Sequence, residues 1–237
     1  MKLSNPRSRS ELKINRKAKV LDVGGGHNPH PRANVVVDKY SEDNTHRCGD
    51  IFTHKHQTFI EADGESLPFE DNEFDYVICN HVLEHVDNPH QFLAEISRVG
   101  KKGYVETPSL LGEYLHPKAS HRWLILEVDD QLVLIDKEEV GFVPSIDFGE
   151  LFLTYLQTNS LGYKIMNRTH PLIREVHYEW QDEVTCLVNP EDEKYRKYFT
   201  QPWNEEMIKT MFPRRSVKKE IAESTRAMWK IIRTYLK

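Results

Sequence analysis

The feature that most limits how this chain can fold is Leu21-Asp22-Val23-Gly24-Gly25-Gly26-His27-Asn28-Pro29, a short β-prone run that passes directly into three glycines. Glycines at the carboxyl end of a buried strand accept positive φ and carry no Cβ, so backbone there comes close to a ligand. A tight turn after a buried strand uses the same residues, so the loop alone leaves both readings open. The dinucleotide fingerprint needs its third glycine where Pro29 stands, and no Gly-Lys-Ser/Thr follows. A nicotinamide cofactor and a phosphate-binding P-loop are therefore both disfavoured.

Around this loop the sequence alternates strand-like and helix-like segments. Lys19–Val23, Asn34–Asp38, Thr58–Ala62, Phe74–Cys79 and Gly103–Thr107 read as buried parallel strands. Residues 88–99 place Phe92, Leu93, Ile96 and Val99 at helical spacing behind the N-cap residue Asn88. This alternation predicts a doubly wound, mostly parallel α/β fold with helices on both faces. Only eight residues separate Gly26 from Val35, fewer than a parallel crossover with a helix needs, so the first helix is expected to be vestigial.

Beyond Pro108, residues 121–128 and 131–137 flank Asp129-Asp130 as an inserted β-hairpin, and 147–157 form a helix. Residues 175–180 and 183–188 are expected to close the sheet as an antiparallel pair. The expected divisions are a basic N-terminal extension over 1–18, a central domain over 19–190 with an insertion at 109–146, and a C-terminal helical extension over 191–237.

The 237 residues fit one hydrophobic core, and no apolar run approaches the roughly 18 residues of a membrane-spanning helix. The basic N-terminus has no apolar stretch behind it, unlike a secretory signal, so a cytoplasmic protein is expected. Cys48, Cys79 and Cys186 are widely spaced and form no CxxC, which points to reduced thiols rather than disulfides or structural zinc. Residues 1–19 carry seven Lys/Arg against Glu11, and 214–237 carry eight against Glu220 and Glu223. Each end is thus +6 and the middle −17 within a net charge of −5, an acidic body that argues against binding long nucleic acid. In the last segment Val217, Ile221, Met228, Ile232 and Leu236 form an apolar stripe opposite Lys and Arg. It reads as a helix docked on the core or as one adsorbed to the inner face of an anionic membrane.

Five segments in order, LDVGGG, VVVDKY, ADGESLPFEDNEFDYV, HVLEHVDNP and EISRVGKKGYVETPS, resemble the class I S-adenosylmethionine-dependent methyltransferases of the small type 11 kind, from about Lys19 to Ser109. The resemblance implies a Rossmann-like sheet of seven strands, S-adenosylmethionine as cofactor and S-adenosylhomocysteine as product. It sets the loop Asp22, Gly24, Gly25 and Gly26 against the amino-acid part of the cofactor, and Asp38 with Lys39 at the ribose. Asp63, with the backbone around Gly64 and Glu65, would hold the adenine, and Asn80 and His81 would flank the sulfonium.

His81, His85 and His121 are the candidate catalytic residues, with His121 opening a His-x-Trp element expected to line the acceptor pocket. Within HVLEHV, Val82, Leu83 and Val86 either pack inward around locally satisfied polar groups, or His81, Glu84 and His85 share a helical face that His116 or His121 completes as a divalent-metal site. The latter resembles, in part, the metal sites of small-RNA 3′-terminal 2′-O-methyltransferases and of ubiquinone O-methyltransferases. No metal is assigned on this ground. Tyr104, Tyr114, Trp123 and Trp180 either stack on sugar faces or fill the core. The expected acceptor is a small molecule, first a sugar, nucleotide sugar or lipid-linked glycan. A metal-assisted enzyme of an RNA 3′ end or a quinol, and a catalytically silent cofactor-binding scaffold, stand behind it.

Overall fold

The computed structural model describes residues 1–40, 49–144 and 146–235, so Cys48 and Leu236 lie outside the described residues. Among the described residues, ten strands form two sheets. The larger contains β1 (Lys2–Ser4), β2 (Val20–Val23), β3 (Val35–Asp38), β4 (Thr58–Glu61), β5 (Tyr76–Asn80), β6 (Lys102–Pro108) and β9 (Glu175–Gln181), in the order β1-β9-β6-β5-β2-β3-β4. Strands β2 to β6 run parallel, whereas β9 is antiparallel to β6 and β1 antiparallel to β9. This is the mostly parallel seven-stranded sheet expected. Chain order runs outward from β2 in one direction and from β5 in the other, so the topological switch point lies between their carboxyl ends.

Helix α1 (Pro89–Val99) starts where Asn88 accepts a hydrogen bond from the Gln91 N–H and Pro89 opens the first turn. It buries Phe92, Leu93, Ile96 and Val99 against Leu21, Val23 and Val77 of the sheet. Each such fully buried side chain contributes about 1.5–3 kcal/mol. On the other face Val20, Val36, Ile78 and Tyr104 are packed by Leu12, Ile14 and Ala18. The basic N-terminal segment is thus built into the fold, giving both an edge strand and part of a core. Between Gly26 and Val35 there are turns and no helix, as the short spacing requires.

The hairpin forms as β7 (Trp123–Val128) and β8 (Gln131–Asp136), with Asp129 and Asp130 at φ 52° and 62° in its two-residue turn. The second half of the expected closing pair goes elsewhere. β10 (Cys186–Val188) pairs parallel with β8 in the smaller sheet, because β6 and β1 already occupy both edges of β9. The helix expected over 147–157 begins as a π-helical turn over Glu150–Tyr155 and continues as an α-helix over Leu156–Asn159.

The final helix, Val217–Tyr235, is rotated from the expected docking. Glu223, Ala227 and Ile231 face inward, while Val217, Ile221, Met228 and Ile232 are exposed. Ion pairs from Glu223 to Arg7 (2.6 Å) and Arg215 (2.8 Å) hold that orientation. Among the described residues no helix is long and apolar enough to cross a membrane.

Candidate functional site

The glycine loop lies at the β2/β5 switch point. Gly24 has φ 72°, and a Cβ there would sit 2.1 Å from Val82 Cγ2, so the loop packs directly against the turn leaving β5. A Cβ on Gly25 would meet Val36 at 2.6 Å. Both glycines are required for the loop to lie this close to its neighbours. Gly64 serves packing instead, since a Cβ there would meet the Phe92 ring at 2.5 Å.

Asp22 is fully buried beneath the loop. Its Oδ2 accepts the His30 N–H at 2.5 Å, tying down the far side of the turn, while Oδ1 has no partner among the described residues. Burial pushes its pKa up to about 6, with the His30 N–H and Arg9 opposing. An unsatisfied buried acceptor beside a glycine cradle suits a ligand that brings a cationic donor.

Asp38 ends β3, where the Tyr40 N–H donates to its Oδ1 at 3.2 Å. Asp63 follows β4 and pairs with Lys39 at 2.7 Å. Its burial disfavours ionisation, but the Lys39 hydrogen bond and the Glu65 N–H hold its pKa below the usual range. The Glu65 carboxylate is engaged elsewhere, accepting the Asp87 and Asn88 N–H groups at 2.8 and 2.9 Å ahead of α1. Asn80 ends β5 with a buried Oδ1 that has no partner among the described residues.

The HVLEHV segment makes a 3₁₀ turn over Leu83–His85, so its polar residues do not share a helical face. His81 sits at φ 56°, and Asn88 caps α1 only seven residues later, which leaves no room for a helix between them. Glu84 is 1% exposed. Its Oε1 accepts from His81 Nδ1 at 3.2 Å, and its Oε2 from the Thr107 hydroxyl at 3.0 Å. Burial opposes a charged His81, yet Glu84, Glu175 and Glu106 together raise its pKa to about 9. His81 is therefore protonated at neutral pH and acts as a donor.

Two clusters diverge from Glu84. In the first, one ligand atom each of Glu84, His85 and His121 lies within 4.8 Å of the others. His121 donates through Nδ1 to Glu113, which is itself buried and held by Lys137 at 2.6 Å. In the second, His81, Glu106 and Glu175 converge. There the Tyr104 hydroxyl donates to Glu106 and lies 2.5 Å from His177 Nδ1. Glu106 is held at about 2: burial opposes its ionisation, and His177 and Tyr104 outweigh burial. Asn80, Glu106 and His177 are direct register partners across β5, β6 and β9.

His116 takes no part in either cluster. It is buried with Nε2 unpartnered among the described residues, and burial lowers its pKa. Tyr104, Trp123 and Trp180 belong to the core, and only Tyr114 is exposed. Sequence reasoning missed Glu106, Glu113, Thr107, Lys137, Glu175 and His177. Only Glu106 and Thr107, at the carboxyl end of a predicted strand, carried a positional signal.

Residues 21–105 match the profile of the methyltransferase domain family. The chain is 36% identical over 92 residues to an uncharacterised methyltransferase of Mycobacterium tuberculosis, covering 35% of each chain. It is 40% identical over 123 residues to an uncharacterised protein of Methanocaldococcus jannaschii, covering 49% of this chain and 51% of that one. The chain thus spans between a third and about half the length of these relatives. An S-adenosylmethionine-dependent methyltransferase structure from Aquifex aeolicus overlaps 39% of this chain and 57% of its own at a TM-score of 0.30 and 17% identity, too slight a likeness to carry argument. The glycine cradle over Asp22 and the strand-end Asp38 and Asp63 all fall within this stretch, whose sequence is similar to the methyltransferase domain family.

Proposed function

We propose that the chain transfers a methyl group from S-adenosylmethionine to a hydroxyl oxygen of a sugar, nucleotide sugar or lipid-linked glycan precursor. The observation that carries this reading is the contact between the two halves of the crevice. Gly24 of the cofactor loop abuts Val82, two residues from Glu84 and its histidines. A cofactor held by that loop lies beside a cluster of acid–base groups.

Asp22 and the loop N–H groups would bind the amino-acid part, Asp38 the ribose hydroxyls, and Asp63 the adenine. The cofactor supplies a methyl group already activated on a sulfonium: the acceptor O–C bond forms as the S–C bond breaks, and the hydroxyl proton must leave. His81, protonated, donates a hydrogen bond. His121 is differently placed, because Glu113 fixes its proton on Nδ1 and leaves the lone pair on Nε2, the nitrogen that can act on an acceptor hydroxyl. Glu84, Glu106, Glu113 and Glu175 make this side acidic and unwelcoming to a long polyanion.

The exposed Val217, Ile221, Met228 and Trp229 on the last helix, beside Lys218, Lys219 and Arg226, suit contact with an anionic membrane. Such contact would bring a lipid-carried acceptor to the crevice. Radiolabelled S-adenosylmethionine incubated with nucleotide sugars and lipid-linked sugars tests the reading. Label transferred to an acceptor oxygen, and lost in His121→Ala with cofactor affinity retained, supports it. Cofactor binding without transfer to any acceptor would favour a silent scaffold.

A further inference from the structure

We infer that Asn80, Glu106, Glu175 and His177 form a subsite that holds an ammonium group of the acceptor, so that the acceptor is an amino sugar. The inference rests on the proposed function for the sugar and adds the group by which that sugar is recognised. Asn80, Glu106 and His177 are register partners on β5, β6 and β9, so their side chains share one face of the sheet at the carboxyl ends of β5 and β6. Glu175 opens β9 and joins them, since one oxygen each of Glu175 and Glu106 and one ring nitrogen of His81 lie within 4.8 Å of one another.

The residue that points to a ligand is His177. It is 3% exposed, and its Nε2 is buried with no hydrogen-bond partner among the described residues. The other ring nitrogen fixes the tautomer. Tyr104 has one hydroxyl proton and gives it to Glu106, so the His177 Nδ1 that lies 2.5 Å from that hydroxyl must carry a proton of its own and donate it. In the neutral ring the lone pair is then on Nε2, which faces Glu175 Oε2 at 3.6 Å. Two acceptors thus stand opposite each other, and a buried acceptor left without a donor costs about 1–3 kcal/mol. Asn80 Oδ1 is a further buried acceptor with no partner among the described residues. A hydroxyl has one proton to offer such a set, whereas an ammonium group has three.

Charge favours the same ligand. Glu84, Glu106 and Glu175 are faced by two cations, His81, which donates to Glu84, and Arg174, which lies 3.4 Å from Glu175 Oε1. Three carboxylates against two cations leave one negative charge for a ligand to balance. Position gives the consequence. Asn80 stands two residues before Val82, on which Gly24 of the glycine loop packs, so the subsite borders the place proposed for the sulfonium. An amine kept protonated has no lone pair with which to attack a sulfonium, so the subsite also directs the methyl group to a hydroxyl oxygen.

The test reads binding rather than turnover. The full chain is titrated with glucosamine, galactosamine, N-acetylglucosamine and glucose, each followed by saturation-transfer NMR. At least one of the two amino sugars should bind at least about 10-fold more tightly than N-acetylglucosamine and glucose, which carry no ammonium group. Glu175→Gln should bring that amino sugar down to the level of glucose, and His177→Gln should weaken it about 3- to 10-fold. Glu70→Gln, at an exposed position, serves as the surface control and should change nothing. Circular dichroism confirms that each variant is folded, and Glu175→Gln, at a side chain 26% exposed, keeps the test open should the buried His177 variant unfold. No preference for either amino sugar in the native chain, or the same preference in Glu175→Gln, overturns the inference. Titration of the same preparations with S-adenosylmethionine separates the two readings: cofactor binding without an amino-sugar preference removes only the subsite, whereas no cofactor binding in the native chain removes the methyltransferase reading itself.

Discussion

The two halves of the crevice are built by different means. On the side proposed to hold the cofactor, the structure relies on backbone and on partly exposed acids: three glycines at one strand end, Asp38 at the next, and Asp63 paired with Lys39 while both side chains stay about 40% exposed. On the side proposed to hold the acceptor it rests on buried carboxylates: Glu84, Glu113 and Glu106, all under 9% exposed, are each engaged by histidine, lysine or tyrosine side chains, from Tyr104 two residues from Glu106 to Lys137 twenty-four residues from Glu113. The first arrangement adds little to stability. The second is costly to break whatever its ligand, because an uncompensated buried charge has nowhere to go.

The largest expected effect follows from that difference. Glu113→Ala leaves Lys137 and His121 facing each other without their counter-charge, and should lower unfolding stability by about 3–5 kcal/mol in denaturant titration. A loss below about 1 kcal/mol would show that the acceptor side is no more tightly built than the cofactor side.

The second effect is a pH dependence that differs in sign between the halves. Asp22 has its folded pKa raised to about 6, so the folded state binds the extra proton and stability falls as pH rises from about 4 to about 6, by roughly 1–3 kcal/mol. Glu106 has its folded pKa depressed to about 2, so its contribution is present above pH 4.5 and is lost as pH falls toward 2. Unfolding measured across pH 2–7 should show both arms, and Asp22→Asn should flatten only the upper one. An unchanged upper arm in that variant would remove Asp22 as its cause.

The smallest stability effect belongs to Asp63→Asn. Its partly exposed pair with Lys39 is worth under about 1 kcal/mol, so the melting temperature should barely move. Cofactor affinity should nevertheless fall about 10-fold, one charge-assisted hydrogen bond's worth. A large fall in stability with unchanged affinity would reverse the assignment.

The same contrast explains what the sequence disclosed. The strands and the glycine loop were legible because their signals are local: glycines and acids stand where apolar runs end, and β2 to β6 lie within two residues of their predicted bounds. The acceptor side is made of contacts such as Thr107 with Glu84, Lys137 with Glu113 and Tyr104 with His177, which join residues 23, 24 and 73 positions apart. No spacing rule links such positions. The mistaken strand pairing of 183–188 has a similar origin, since only the folded chain reveals that the N-terminal β1 already occupies the free edge of β9. The exposed stripe on the last helix was read correctly as a pattern, but its orientation is set by Arg7, more than two hundred residues away.

Calorimetric titration of the purified chain with S-adenosylmethionine, with NAD in parallel and Asp38→Ala as the paired variant, tests the central claim most directly. The account predicts micromolar binding of S-adenosylmethionine, a loss of at least about 10-fold in Asp38→Ala, and no binding of NAD. Absence of S-adenosylmethionine binding, or equal affinity in the variant, would contradict the placement of the cofactor at this strand-end loop.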